Sequence, residues 1–405
     1  MTTSPKKNSD VTQRFWLWAV FVFFGVVSLG QFERIELRQL PAFYIHDVVL
    51  AVFVGWLSTQ HEWRQVLQRL SKKFPTLGWI CLGWAGAGLA LAAISGSSII
   101  YPLATLARLA LYILAAVGTL TQLKKTTITP LLLRSGLHFF FAMLLIIGVL
   151  QYLLVPDTRF LFFLGWDDHY YRLISSLFDP GFTGLCFVLG YVFFQETFRY
   201  PKQIAPLKVV LSLGMIVGLL FTYSRASYLA FGVAMLFLIW KHWQQGQLQR
   251  AASQAFLLAV FVLSLFFLPQ PGGEGVKLGR TSTITARAIT AQQSFTNFNT
   301  ISSFVIGNGL FVPPAQSESL YSGTTSHAKV ADNWVIAILS GTGVVGVFLL
   351  FGLLFQTLRW TFSKHHSFLW IAILALLVHG LFNASVTYPF VWIVLLSWGV
   401  LTLES

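Results

Sequence analysis

The stretch "PLKVVLSLGMIVGLLFTYSRASYLAFGVAMLFLIWKH", residues 206–242, decides the fold class. Two apolar runs flank Arg225 with almost no polar linker, and each is close to the ~20 residues that a helix needs to cross a bilayer. Working outward, similar runs recur along the whole chain. Of its 405 residues 56% are hydrophobic and only 10% are charged, against roughly 25% charged in a soluble globular domain. The chain therefore reads as an all-α integral membrane protein. The net charge of +13 raises nucleic acid as a partner, but the basic residues are scattered between apolar runs, which is the pattern of the positive-inside rule. No nucleic-acid partner is expected. Cys81 and Cys186 lie inside apolar segments, which excludes a thiolate metal cluster and argues against an extracellular disulfide.

Runs of spanning length are read at about 15–31, 42–58, 77–95, 102–122, 136–155, 180–197, 206–223, 226–242, 253–269, 333–357, 367–384 and 387–403, giving about twelve transmembrane helices in one polytopic membrane domain over 1–405. The polar start "MTTSPKKNSDVTQR" leads into the first run without a small-residue cleavage site, so that run is expected to stay as a helix. No repeat of fixed period is visible. Sorting Lys and Arg onto alternate sides gathers Lys6, Lys7, Arg14, Arg64, Lys72, Lys73, Lys124, Lys125, Arg250 and Arg359 on one side, with fewer on the other. The richer side is read as cytoplasmic, which puts both termini inside.

Two loops on the poorer, external side stand out. The first, 156–179, is dense in aromatics and carboxylates; the second, 270–332, is the longest polar segment. Within the second, Ile284, Ala288, Ala291 and Phe295 share one helical face, so a short amphipathic helix on the membrane surface is expected. The Gly- and Pro-rich "IGNGLFVPPAQSESLYSG" that follows reads as irregular loop.

The external cations are the informative ones. Arg225 sits in a turn too short to hold it far from the bilayer, where a central Arg costs about 2.5–3.5 kcal/mol. Two readings stand: it snorkels to headgroups or pairs with a carboxylate such as Asp179, or it faces a cavity and holds an anionic ligand with its planar donor fork. Arg172, Arg280 and Arg287 are external too, and four guanidiniums converging would suit a diphosphate. Asp47 and Arg108 are expected to form structural ion pairs, and His379 to be a hydrogen-bonded packing residue. The adjacent carboxylates in "WDD", 166–168, lack other ligands at metal spacing, so neither a metal nor any other cofactor is expected. Asp332 and Asn333 stand where the chain re-enters the membrane. They fit a helix N-cap, and Asp332 also fits a general base that takes a proton from an attacking hydroxyl. Gly341, Gly343 and Gly346 would permit close helix packing.

In order, spacing and sidedness, "HDVVLAVFVGWL", "LFDPGFTGLCFVLG", "TYSRASYLAFGVAM", "FVIGNGL", "DNWVIAILSGTGVVG" and "LVHGLFNAS" together resemble the O-antigen polymerase and O-antigen ligase superfamily of bacterial envelope glycosyltransferases. The resemblance implies a metal-independent, inverting glycosyl transfer at the external face of the bacterial cytoplasmic membrane, from an undecaprenyl-diphosphate-linked glycan. It implies that Arg225, within the Ser-Arg motif and flanked by Tyr223 and Ser224, holds the diphosphate with Arg287, and that Arg280 or Arg172 assists. A chain-length regulator protein is an implied partner. Ligases of the family carry a His directly before the Asn. Here that position is Asp332, and the nearest His is His327, which favours a polymerase over a ligase acting on lipid A-core. The motif at Asp179, Pro180 and Gly181 also departs from the family's pattern. The runner-up class is a transporter or lipid-linked oligosaccharide flippase; against it, "STQHEWRQVLQRLSKKFPT" stands after span two where a Gly-Asp-Arg-type motif would be, and the longest loop is late and external.

Overall fold

The computed structural model describes residues 6–36, 42–60, 68, 76–94, 99–124, 129–197, 205–281, 287–288, 291–292, 294–295, 298, 300–309, 333–363 and 368–404. Helices occupy the apolar runs. In chain order they are α1 (Lys6–Ser28), α2 (Ile45–Ser58), α3 (Thr76–Ile94), α4 (Ile100–Lys124), α5 (Pro130–Leu154), α6 (Pro180–Thr197), α7 (Ala205–Thr222), α8 (Arg225–Gln244), α9 (Leu248–Phe266), the short α10 (Ile301–Ile306), α11 (Trp334–Ser363), α12 (Leu369–Gly380) and α13 (Pro389–Glu404). Five stretches, Pro102–Leu123, Pro130–Leu154, Arg225–Gln244, Leu248–Phe266 and Trp334–Ser363, are long and apolar enough to cross a membrane, and shorter apolar helices accompany them. The protein is an all-α membrane protein, with one two-residue antiparallel ladder, β1 (Arg34–Ile35) against β2 (Phe43–Tyr44), among the described residues.

Helix ends follow local chemistry. Pro130 opens α5, where a missing N–H costs nothing, and the Thr129 hydroxyl accepts from the Leu132 amide at 3.2 Å. The Ser224 hydroxyl accepts from the Ser227 amide at 3.3 Å and so caps α8. Inside the bundle, α6 is buried along nearly its whole surface, as an all-round apolar helix must be. It packs against α5, α7, α8 and α12. Gly184 lets α8 approach, since a Cβ there would lie 2.5 Å from Ser227 Oγ. The surrounding core is aromatic: Phe140, Phe141, Phe187, Phe193, Phe231 and Trp398 are fully buried.

Asp47 and Arg108 pair with each other, Nε to Oδ2 at 2.9 Å, as the expectation of structural ion pairs requires. The Tyr112 hydroxyl donates to Asp47 at 2.6 Å, and His46 sits between Tyr112 at 2.7 Å and Glu33 at 2.5 Å. Arg108 also donates to the Ala42 carbonyl at 2.6 Å. Each charge in this cluster has a partner, which is the condition for keeping it out of water.

The long loop is anchored by an interlock of glycines. Helix α11 is interrupted at Gly343, at φ 66 and ψ −174, and α10 seats its end in that kink. The Asn308 amide donates to the Ser340 carbonyl at 2.9 Å, and the Gly309 amide to the Gly341 carbonyl at 3.0 Å. A Cβ on Gly343 would lie 2.2 Å from the Val305 carbonyl oxygen, and one on Gly307 would lie 2.5 Å from the backbone of Gly341. At Gly341 and Gly343, then, the expected helix packing is replaced by a backbone-to-backbone contact between loop and helix. "IGNG", residues 306–309 of the stretch expected to be irregular, is the end of α10 and its latch. Of the expected amphipathic face, Ala288 and Phe295 are exposed while Arg287 turns inward; Ile284 lies outside the described residues.

Candidate functional site

The site is built around the turn between α7 and α8. Tyr223 takes φ 51, a left-handed conformation uncommon outside glycine, and its buried hydroxyl donates to the Pro269 carbonyl at 2.7 Å. The last carbonyls of α7 have no partner within the helix, and they carry the negative end of its dipole. Cations meet them there. Arg172 donates from Nε to the Thr222 carbonyl at 3.0 Å and from Nη2 to the Tyr223 carbonyl at 3.4 Å. Arg280 reaches the same Tyr223 carbonyl from Nη2 at 3.3 Å, while its Nη1 donates to Gly275 at 2.6 Å and Lys277 at 3.0 Å. Arg225, the first residue of α8, donates from Nη1 to the carbonyls of Arg280 at 2.9 Å and Leu278 at 3.2 Å. Arg172 from the 156–179 loop, Arg225 from the turn and Arg280 from the long loop are thereby drawn to one end of the bundle.

Arg287 closes the arrangement from the other side. Its Nη2 donates to Asn383 Oδ1 at 3.1 Å, and Asn383 follows the end of α12. Asn383 lies over Gly181, where a Cβ would meet its Nδ2 at 2.2 Å. His379 is fully buried: Nε2 is 3.1 Å from Ser227 Oγ, Nδ1 is 2.9 Å from Ser385 Oγ, and Asn383 Nδ2 is 3.4 Å from Nε2. Ser227 donates to the Gly181 carbonyl at 3.0 Å. This agrees with the reading of His379 as a hydrogen-bonded packing residue. Asp179 caps α6, with Oδ1 accepting from the Phe182 amide at 2.7 Å.

Electrostatics tie these groups together. Burial lowers the Arg280 guanidinium from its usual range, and the charges of Arg225 and Arg287 lower it further. Burial likewise brings Arg172 down to about 10, with Arg280 adding to the effect. Burial pushes the Asp179 carboxyl up to about 6, against the pull of the Phe182 amide and of Arg172. Cations that perturb one another in this way form a concentrated positive field at a dry site, which is what attracts a multiply charged anion.

Of the sequence-derived candidates, the structure brings Arg172, Arg225, Arg280, Arg287, Tyr223, Ser224 and Asp179 into one region. The described hydrogen bonds of Arg225 run to loop carbonyls, whereas the charge that reaches Asp179 is that of Arg172. Asn333 Oδ1 accepts from the amides of Val335 at 2.9 Å and Ile336 at 3.3 Å, so it caps α11 as its position suggested. Asp332 and His327 lie outside the described residues. Asn383 and Ser227 were not singled out. The string "LVHGLFNAS" contains Asn383 four residues after His379, but that spacing alone does not reveal that it meets Arg287.

Residues 210–351 match the family model described as O-antigen ligase. The matched segment runs from α7 through the kink of α11 and so includes Arg225, Arg280, Arg287 and Asn333. No curated protein matches the chain. That match, over about a third of the chain, together with this membrane-helical fold, supports a relation to the O-antigen polymerase and ligase superfamily, a family of membrane glycosyltransferase type.

Proposed function

We propose that the protein is a polymerase that transfers an undecaprenyl-diphosphate-linked glycan onto a second lipid-linked repeat unit, with inversion and without a metal ion, at the external face of the cytoplasmic membrane. The observation that carries this reading is the gathering of Arg172, Arg280 and Arg225 at the Tyr223 turn, with the charge of Arg287 reaching Arg280. In the reaction an acceptor hydroxyl attacks the anomeric carbon as the bond to the diphosphate oxygen breaks, and the diphosphate departs with the bonding electrons. Guanidiniums held in place before the reaction stabilise that developing charge without reorganising. Arg225 is assigned to the diphosphate together with Arg287; Arg280 and Arg172 assist, and Tyr223, Ser224, Asn333 and Asp179 support the arrangement. The hydroxyl proton goes to Asp332 as general base, with His327 as the alternative acceptor.

A ligase, which moves the glycan to lipid A-core or another acceptor, is the second reading, supported by the description of the matching family. Asp332 in place of a His before Asn333 favours the polymerase. Cells carrying Arg225→Ala should accumulate lipid-linked single repeat units while the protein still inserts, and normal chain lengths in that variant would refute the assignment. A ligase is indicated instead if loss of the protein leaves lipid-linked polymer intact but abolishes its transfer. Turnover of the lipid-linked donor by purified protein in detergent, where there are no compartments, separates both readings from a flippase.

A further inference from the structure

We propose that the 156–179 loop carries a phospholipid site. Its 3₁₀ turn Arg159–Leu164 lies in the bilayer interface with its phenylalanines among acyl chains, and the groove formed by Asp157, Arg159 and Asp168 receives a zwitterionic headgroup.

The loop is ordered, so its outward side chains are held in place by design of the backbone. The Tyr171 amide donates to the Pro156 carbonyl at 2.9 Å, and the Thr158 amide and hydroxyl both donate to the His169 carbonyl, at 2.9 and 3.0 Å. Asp157 and Tyr170 form an antiparallel bridge. Leu161 turns inward and is buried, and Gly165, at φ 84, ends the turn. On this fixed stem Phe160 and Phe162 are exposed, Phe163 is 84% exposed and Leu164 62%. Large apolar side chains concentrated on the outside of a rigid turn mark a surface that is covered by something apolar.

What covers it follows from the neighbouring surface. The last turns of α5 expose Leu150, Leu153, Leu154 and Val155, and α5 is one of the helices long and apolar enough to cross the membrane. The turn begins five residues after α5 ends, so it extends the same lipid-facing surface to the level of the headgroups. There the character of the surface changes. A groove of about 690 Å³ is lined by Asp157, Arg159 and Asp168 together with Phe160, Phe162 and Phe163. Arg159 binds Asp157 in a fork, at 2.9 and 2.6 Å, and lies 4.8 Å from the centre of the Tyr170 ring. With two carboxylates to one guanidinium, the lining is net negative. An ammonium fits beside Asp168 and a phosphate toward Arg159, whereas an anionic headgroup would be repelled. A saccharide would use such rings as enclosed stacking platforms, whereas Phe163 is almost fully exposed.

This surface is connected to the arginine cluster. A Cβ on Gly272 of the long loop would lie 3.5 Å from the Tyr170 ring, and one on Gly275 would lie 3.0 Å from the Arg172 side chain. A lipid held at the turn therefore sits on the same small unit that places Arg172.

The test uses full-length Cys81→Ala protein, whose remaining Cys186 is fully buried, carrying Phe163→Cys with a nitroxide label. The protein is placed in nanodiscs of equal parts phosphatidylethanolamine and phosphatidylglycerol. The nitroxide should collide several-fold more with oxygen than with a water-soluble nickel chelate, relative to the same label at Gln245→Cys in the polar α8–α9 turn. Native mass spectrometry should show phosphatidylethanolamine retained over phosphatidylglycerol, with the preference lost in Asp168→Asn. Greater nickel accessibility at position 163, retention of the anionic lipid, or protection of position 163 by free oligosaccharide rather than by lipid would each overturn the proposal.

Discussion

Replacing Gly343 by alanine should release the long loop from α11. Two costs follow from the coordinates. At φ 66 and ψ −174 the backbone sits in a region almost reserved for glycine, where another residue costs about 1–3 kcal/mol. The new Cβ would also stand 2.2 Å from the Val305 carbonyl oxygen, a backbone atom with no side-chain freedom to move aside. Relief requires α10 to withdraw, which breaks the bonds from Asn308 to Ser340 and from Gly309 to Gly341, at about 0.5–1.5 kcal/mol each. Those bonds also break when the wild-type loop opens, so the change in the local opening equilibrium is the strain relieved, about 1–3 kcal/mol or roughly 5-fold to 150-fold. Hydrogen–deuterium exchange read by mass spectrometry should show amides in 301–309 exchanging faster by at least the lower figure, while α6 is unchanged. Gly232→Ala in α8 is the control, because nothing lies within 4 Å of its new Cβ and alanine favours helix by up to about 1 kcal/mol. Unchanged protection of 301–309 in Gly343→Ala would refute the interlock.

The Asp179 carboxyl, raised to about 6 by burial, should give donor binding a pH dependence. Above that pH its negative charge stands beside Arg172, so affinity for a diphosphate-linked donor falls as pH rises through about 6, and Asp179→Asn flattens the profile. The stability sign is the same: the native carboxyl holds its proton more tightly than the ordinary value of 3.8, so the contribution is complete below that pH and is lost as pH rises through about 6. A titration of binding that is flat in wild type would disprove the coupling. Asn383→Ala removes the acceptor of Arg287, a bond to a charged group worth about 1.5–3 kcal/mol, and should raise the donor Kd by about 10-fold to 100-fold. Isothermal calorimetry of donor binding checks this, and an unchanged Kd in Asn383→Ala would refute the positioning role.

Much of the fold was legible because one property dominates a membrane chain. A run of apolar residues near bilayer length has almost no alternative to a helix, since lipid offers no partner for an open backbone. The helices consequently fall where hydropathy places them, while α1, α5, α9 and α11 extend past their estimated ends, to Lys6, Pro130, Leu248 and Ser363. The roles of Asp47 and Arg108 were partly legible on the same grounds: two charges at the edges of spans must be compensated, but only coordinates show that they compensate each other. The role of the glycines is less legible. Small residues at helical spacing suggest helix packing, and composition does not signal that Gly343 breaks the helix to admit another stretch of backbone.

The arginine cluster marks the boundary between the two kinds of information. Residue order alone determined that Arg225 lies in a short turn between two apolar helices, and that Arg172, Arg280 and Arg287 lie in polar loops, because hydropathy is local and additive along the chain. Whether the four meet depends on contacts between residues tens of positions apart, which no local pattern encodes. The fold supplies them: the left-handed Tyr223 turn directs α7's unpaired carbonyls toward Arg172 and Arg280, and Asn383, seated over Gly181, holds Arg287 in reach of the same end of the bundle. Carbonyls without helical partners must be satisfied, and in this protein that requirement gathers its loop cations into one place.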